Sequence, residues 1–376
     1  MDKLCTPHGE VALPAFFPDA TRGVVRGLDA ADLTACGVPG LVVCAFHLAR
    51  RPGSKAIAAM GGLHALMGWG RPIISDSGGF QVFSLIRQSP RLGTITNREA
   101  IFRTAEGGKA RRLSPEKSIQ IQLRLGADIL VCLDDCTHPD APREEQAASV
   151  ARTIAWAERC QVEFERGLAA RGQPRRDASA SRSMTRGERA ARAPNGSRRP
   201  LLFAVVQGGA DRELRRLCAR ELTAMGFDGY AYGGWPFDAQ GRMLVDILAL
   251  TADLLPSDKP RYALGIGNPA ALSACVRMGY DLFDCALPTR DARRGRLYAF
   301  EGAGGLAYRR VYIRDSEHRR DRGPVSHTCD CLCCRAYSRA YVHHLFAIGD
   351  SLAWRLATIH NLRFYTALLG RLRGGG

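Results

Sequence analysis

The strongest constraint in this chain is a recurrence. Eight short apolar runs of strand length stand at Pro14–Pro18, Leu41–Phe46, Pro72–Asp76, Asp128–Asp134, Leu201–Gln207, Gly229–Gly233, Tyr262–Ile266 and Asp281–Ala286. Helical patterns lie between several of them, at Pro115–Leu125, Glu144–Ala169, Arg212–Met225, Arg242–Leu255 and Pro269–Met278. Strands alternating with helices imply an α/β class with a parallel sheet. Eight such units imply a closed (β/α)8 barrel of the TIM type. An open doubly wound sheet is the alternative, but it would carry a GxGxxG turn after its first strand. Here Gly265-Ile266-Gly267 comes far too late.

Five of the runs end on polar or glycine residues: Ser75-Asp76-Ser77-Gly78-Gly79, Asp134-Asp135, Gln207-Gly208-Gly209, Gly233-Gly234 and Asp284-Cys285. The C-terminal strand ends of a (β/α)8 barrel converge on one site. Asp76, Asp134 and Asp284 are therefore the chemical candidates. Each alone also reads as a helix N-cap or turn residue. Crowded at a barrel mouth, they would have pKa values pushed apart, separating acid, base and nucleophile roles. The pattern by itself points to a barrel enzyme using paired aspartates, with glycosidic-bond chemistry as one option.

The net charge of +16 favours an acidic partner such as nucleic acid. Its distribution tempers that inference. Residues 171–200 hold nine Arg against Asp177 and Glu188, a net +7, and leave +9 to the rest. That segment is rich in Arg, Ser, Ala, Gly and Pro and reads as a disordered basic insertion, more a solvated linker than a binding arm. The first residues, MDKLCTPHGE, contain no apolar signal core, and no run of about 18 uncharged apolar residues follows. A soluble, cytoplasmic protein is the expectation.

Thirteen cysteines in an intracellular chain argue against a disulfide framework. Four fall within Cys329–Cys334, and the rest read as small buried hydrophobes. Cys329-x-Cys331-x-x-Cys334 is followed by a helix-like stretch, Ser338–Asn361, carrying His343, His344 and His360. Three thiolates and one imidazole make a closed, structural zinc site. Cys333, adjacent to Cys334, is an awkward fourth thiol, and spacing alone does not choose among the histidines. The expected organisation is a catalytic barrel over residues 1–300, with the insertion at 171–200, and a zinc-binding subdomain over 301–376.

Longer motifs sharpen the reading. Ser75-Asp76-Ser77-Gly78-Gly79-Phe80-Gln81-Val82, Asp281-Leu282-Phe283-Asp284-Cys285-Ala286-Leu287-Pro288-Thr289-Arg290, His47-Leu48 with Arg51-Pro52-Gly53, Leu63-His64 with Met67-Gly68-Trp69, Leu113-Ser114-Pro115-Glu116 and Ser338–Leu345 occur in this order. With them the chain resembles the bacterial type of tRNA-guanine transglycosylase over nearly its whole length. The resemblance implies that Asp284 is the nucleophile that expels the wobble guanine, leaving a covalent ribosyl-aspartate, and that Asp76 is the general acid/base. It implies a base pocket of Ser77, Phe80, Asp134, Gln207, Gly233, Gly234 and Leu264, with Arg290 and Arg293 on neighbouring anticodon nucleotides. It favours His360 as the fourth zinc ligand, because the family's histidine follows its last cysteine by 26 residues, as His360 follows Cys334. It further implies a homodimer acting on GUN-anticodon tRNAs, exchanging guanine for the 7-deazaguanine preQ1. Queuine or another 7-deazaguanine, a DNA substrate, and a non-catalytic accessory subunit of a heteromeric enzyme are the alternatives. The chain departs from the family at Cys44 (an Asn elsewhere), Asp135 (Glu), Leu264 (Met) and the loop Gly233-Gly234-Trp235-Pro236-Phe237-Asp238 (GGLAVG).

Overall fold

The computed structural model describes residues 1–374 apart from 139, 173–198 and 303. The insertion expected at 171–200 therefore falls almost wholly outside the described residues. Eight parallel strands form one sheet: β1 (Ala15–Pro18), β2 (Leu41–Cys44), β3 (Ile73–Asp76), β4 (Ile129–Val131), β5 (Leu201–Val206), β6 (Gly229–Tyr232), β7 (Arg261–Ala263) and β8 (Leu282–Cys285). Neighbours in sequence are neighbours in space, and β8 pairs with β1. A parallel bridge between Asp19 and Val42 joins β1 to β2 and closes the ring. The (β/α)8 expectation is met, and every barrel strand falls within a predicted run or within a residue of it.

Both faces of these strands are buried, which is why they read as continuous apolar runs. Side chains alternate across each strand. Ala15, Phe17, Val42, Ile74, Ile129, Val131, Phe203, Val205, Ala231, Tyr262 and Leu282 fill the interior. Leu41, Val43, Ile73, Leu130, Leu202, Ala204 and Val206 face outward into the helical layer. Helix boundaries are set by local chemistry. Pro115–Leu125 starts at Ser114, whose side chain accepts from the Lys117 N–H, and stops at Gly126 in a left-handed conformation. Pro269–Arg277 starts at Asn268, which accepts from Ala270 and Ala271 N–H.

The predicted helix over 338–361 is two helices. Arg339–Ile348 ends at Gly349 (φ 71°), and Asp350 caps a new helix, Ser351–Arg373. The break redirects the chain onto the barrel. Phe364, Tyr365 and Leu368 of the second helix join Phe16, Tyr232 and Phe283 in one apolar cluster. Arg373 Nη1 reaches Pro14 O at 2.7 Å, and Thr366 Oγ1 reaches Cys36 O at 2.7 Å. Short antiparallel elements carry no long apolar run and escaped sequence reading: the hairpin Lys3–Thr6 with Gly9–Ala12, the sheet Gly93–Ile95, Ala100–Phe102, Arg111–Leu113, and the hairpin Arg296–Phe300 with Tyr308–Tyr312. Among the described residues no helix is long and apolar enough to cross a membrane.

Candidate active site and metal centre

Strand alternation places the chemistry. Asp76 is two residues beyond inward-facing Ile74, and Asp284 two beyond inward-facing Leu282. Gln207 follows Val205 by two, Gly233 follows Ala231 by two, and Leu264 follows Tyr262 by two. All five therefore point to the mouth at the C-terminal ends of the strands. Asp134 lies three residues past the end of β4, and its side chain meets Gln207, whose Nε2 donates to Asp134 Oδ2 at 2.6 Å.

Asp76 Oδ1 accepts from the backbone N–H of Ala45 (2.9 Å) and Gly78 (3.0 Å), and Oδ2 from Gln81 Nε2 (3.3 Å). Gly78 has φ 77°, and a Cβ there would sit 2.9 Å from Phe46 N, so the turn that presents Asp76 requires glycine. Asp284 Oδ1 accepts from Gly265 N–H at 3.0 Å. The buried Tyr262 hydroxyl interacts with Asp284, although it forms no hydrogen bond of ordinary geometry. Burial pushes the Asp76 and Asp284 carboxyls up to about 6, with Asp284 adding to the rise at Asp76. Burial, then the charges of Asp135 and Asp76, push Asp134 up to about 7 despite the Gln207 hydrogen bond. All three stay partly accessible at the mouth.

The remaining predicted residues lie around these. Phe80 is 52% exposed, with its ring open to a ligand. Ser77 is buried and its Oγ accepts from Gly79 N–H at 3.2 Å. Gly233 approaches Gln207 so closely that a Cβ would lie 2.5 Å from Nε2. Arg290 and Arg293 stand on the short helix Leu287–Arg293 directly after Asp284. Burial, then the neighbouring Arg26, lower the Arg293 pKa.

One residue escaped sequence reading. Arg215 is fully buried, and its guanidinium donates to the carbonyls of Val206 (2.7 Å), Gly209 (3.0 Å) and Gly233 (2.9 Å). It also lies 4.2 Å over the Tyr232 ring. It thus ties the end of β5 to the end of β6, the two strands that carry Gln207 and Gly233. In the sequence it is one more arginine on an amphipathic helix, and no local signal distinguishes it. Asp135 is likewise structural here, held by Arg87 Nη2 at 3.0 Å and by Arg152.

In the C-terminal region, Cys329, Cys331, Cys334 and His360 bring their ligand atoms within 4.8 Å of one another. His360 Nδ1 is 3.2 Å from Cys334 Sγ and 3.7 Å from Cys331 Sγ. Its Nε2 sits 2.7 Å from Tyr298 O, which fixes the tautomer and aims Nδ1 at the sulfurs. His343 is engaged by Ile313 O at 2.9 Å, and His344 is exposed. Cys333 is buried outside the group. A Cys3His set of this spacing can hold a tetrahedral metal ion.

A second trio, His8, His64 and Asp128, lies at the opposite end of the barrel, beneath β4. Asp128 Oδ1 accepts from His8 N (3.0 Å) and faces His8 Nδ1 (2.8 Å). Its Oδ2 accepts from Ile73 N (2.8 Å) and faces His64 Nε2 (3.1 Å). The two imidazoles stack at 3.5 Å with 11° between planes. An ion binds in the plane of each imidazole ligand, and nearly parallel planes do not meet at one ion. The trio is a hydrogen-bonded clasp that fastens the N-terminal hairpin to the barrel floor.

Fold and site together define a barrel enzyme with clustered carboxylates at its mouth and a separate thiolate–imidazole group able to hold a metal ion. The family model described as queuine tRNA-ribosyltransferase matches residues 1–374. The queuine tRNA-ribosyltransferase of Solidesulfovibrio magneticus is 39% identical over 371 residues, covering 99% of this chain and 89% of its own length. That of Idiomarina loihiensis is 39% identical over 366 residues, covering 97% and 87%. The chain belongs to the queuine tRNA-ribosyltransferase family, the tRNA-guanine transglycosylases, which are pentosyltransferases acting on tRNA and a base.

Proposed function

We propose that this enzyme exchanges the wobble guanine of GUN-anticodon tRNAs for preQ1, a step of queuosine biosynthesis, through a covalent ribosyl-aspartate. The observation that carries the reading is the convergence of Asp76 and Asp284 at one barrel mouth beside the Asp134–Gln207 pair. Burial pushes both carboxyls up to about 6, and the charge of Asp284 adds to the rise at Asp76, which favours a proton on Asp76 while Asp284 is ionised. Asp284, ionised, attacks C1′ of the nucleoside. The C1′–N9 bond breaks and its electron pair leaves with guanine, while Asp76 delivers a proton to the departing base. The incoming base then returns a proton to Asp76, its N9 attacks C1′, and the Asp284 carboxylate is released.

Recognition follows from the edges of guanine. N1–H and the N2 amine are donors, and an ionised Asp134 accepts both. O6 is an acceptor, served by the Gln207 amide and the Gly234 N–H. Phe80 stacks on one face of the base and Leu264 covers the other. The base leaves the anticodon stack to reach this depth, and Arg290 and Arg293 hold flanking phosphates or bases. Zinc is the ion proposed for Cys329, Cys331, Cys334 and His360, where it would hold the C-terminal elements in place and take no part in catalysis. The test is incorporation of radiolabelled guanine into unmodified GUN-anticodon tRNA, chased by preQ1 or queuine. Incorporation with a faster preQ1 chase supports the reading. No incorporation by folded, zinc-replete protein overturns it.

A further inference from the structure

Two large aromatic side chains at the mouth remain exposed, Phe80 at 52% and Trp235 at 44%. Their rings lie 6.2 Å apart at 59°, and the His138 ring lies 6.1 Å from that of Trp235. Trp235 directly follows Gly234. The argument rests on the base orientation proposed above. Around guanine the edges run N2, N1, O6 and then position 7. With Asp134 at N1 and N2 and Gly234 at O6, the next residue along the loop borders position 7.

Two polar groups of that loop already have partners. The Trp235 carbonyl accepts from the Tyr232 hydroxyl at 3.2 Å. Asp238, the loop's carboxylate, accepts from Arg242 Nε at 2.8 Å and from the backbone N–H of Gln240 and Arg242. Arg215 pins Gly233 O, which fixes where Trp235 begins. Beside these groups the loop presents the exposed ring of Trp235 to a 7-substituent. The geometry points to Trp235, flanked by Phe80, as a specificity-determining residue that recognises a cationic 7-substituent by cation–π attraction. An ammonium within about 6 Å of an indole face is favoured by its quadrupole, whereas a neutral group of the same size gains little.

The test compares 7-aminomethyl-7-deazaguanine with its neutral 7-hydroxymethyl analogue as incoming bases for the full-length enzyme. The quantity read is the ratio of their kcat/KM values within each variant, so that a general loss of exchange cancels. Wild type is expected to favour the cation, and Trp235→Leu to lower the ratio by about 3- to 30-fold. Trp235→Phe keeps most of the ratio, because an aromatic face remains. An unchanged ratio in Trp235→Leu overturns the inference. So does an equal loss for both bases with a raised KM for tRNA, which would place Trp235 against RNA. Wild-type protein that incorporates no guanine into tRNA sinks the base-exchange reading itself, whereas guanine exchange with an unaltered ratio sinks only the role of Trp235.

Discussion

Gln207 Nε2 lies 2.6 Å from Asp134 Oδ2, so the amide just past β5 already donates to the carboxylate just past β4. The pair is assembled before any base arrives. Yet burial and the charges of Asp135 and Asp76 leave the carboxyl near 7. Base donors at N1 and N2 would favour its ionised form and draw its pKa down. Exchange should therefore lose kcat/KM as pH falls through 7 to 6, where Asp134 and then Asp284 of the free enzyme take up protons. The pH profile of kcat should show its acid limb lower, because bound base holds Asp134 ionised. Coincident limbs in the two profiles would count against Asp134 as the base-reading group.

The same carboxyl is a stability liability. Its folded pKa lies above the ordinary carboxylate value, so between about pH 4 and 7 the folded state holds a proton that the unfolded state has released. Stability contributed by this group falls as pH rises through that window. Asp134→Asn keeps an acceptor for Gln207 and removes the charge. It should raise stability above pH 7 by about 1–3 kcal/mol while crippling base exchange. Thermal melts at pH 5 and pH 8 check this, and an equal gain at both pH values would refute the electrostatic cause.

Asp284→Asn should reduce base exchange at least about 10³-fold and leave tRNA affinity within a few fold, because only the nucleophile is lost. Trapping of a denaturant-resistant protein–RNA adduct by wild type, and none by the variant, is the direct readout. Preserved exchange in the variant would remove the assignment.

Arg215→Met would leave the carbonyls of Val206, Gly209 and Gly233 buried without their shared donor. Val206 O would keep the Gly233 N–H at 2.9 Å, and losing the donor to the other two should cost about 2–4 kcal/mol. The ends of β5 and β6 would loosen, so KM for the base should rise more than kcat falls. Denaturant unfolding and steady-state kinetics on the same preparation test both halves.

At the barrel floor, the hydrogen bond to Asp128 raises the His8 pKa above its ordinary 6.5. The stabilisation from His8 is fully present below pH 6.5 and is lost as pH rises through its folded pKa. His8→Ala should flatten the pH dependence of the melting temperature in that range. An unaltered slope would show that the clasp carries no proton linkage.

For the metal centre, analysis should find about one zinc per chain, abolished in Cys331→Ser and retained in Cys333→Ser, because Cys333 lies outside the ligand group. Equal loss in both variants would mean that the ligand set is wrong.

The sequence by itself determined the barrel, because strands buried on both faces must be apolar throughout and the helices between them must be amphipathic. It also marked Asp76, Gln207 and Asp284 as candidates, because several polar residues each ending an apolar strand fall at one end of such a barrel. It narrowed the metal ligands to three cysteines and a histidine. Residue pattern alone left His343, His344 and His360 open and the family resemblance favoured His360; the tertiary structure supplies the physical reason, which is where Tyr298 O stands after the Gly349 break. Only the tertiary structure revealed Arg215 as the tie between β5 and β6, or joined His8 to Asp128 across 120 positions. Periodicity records which face of an element is buried. It carries no record of which distant group a buried polar atom meets, and these contacts are of that second kind.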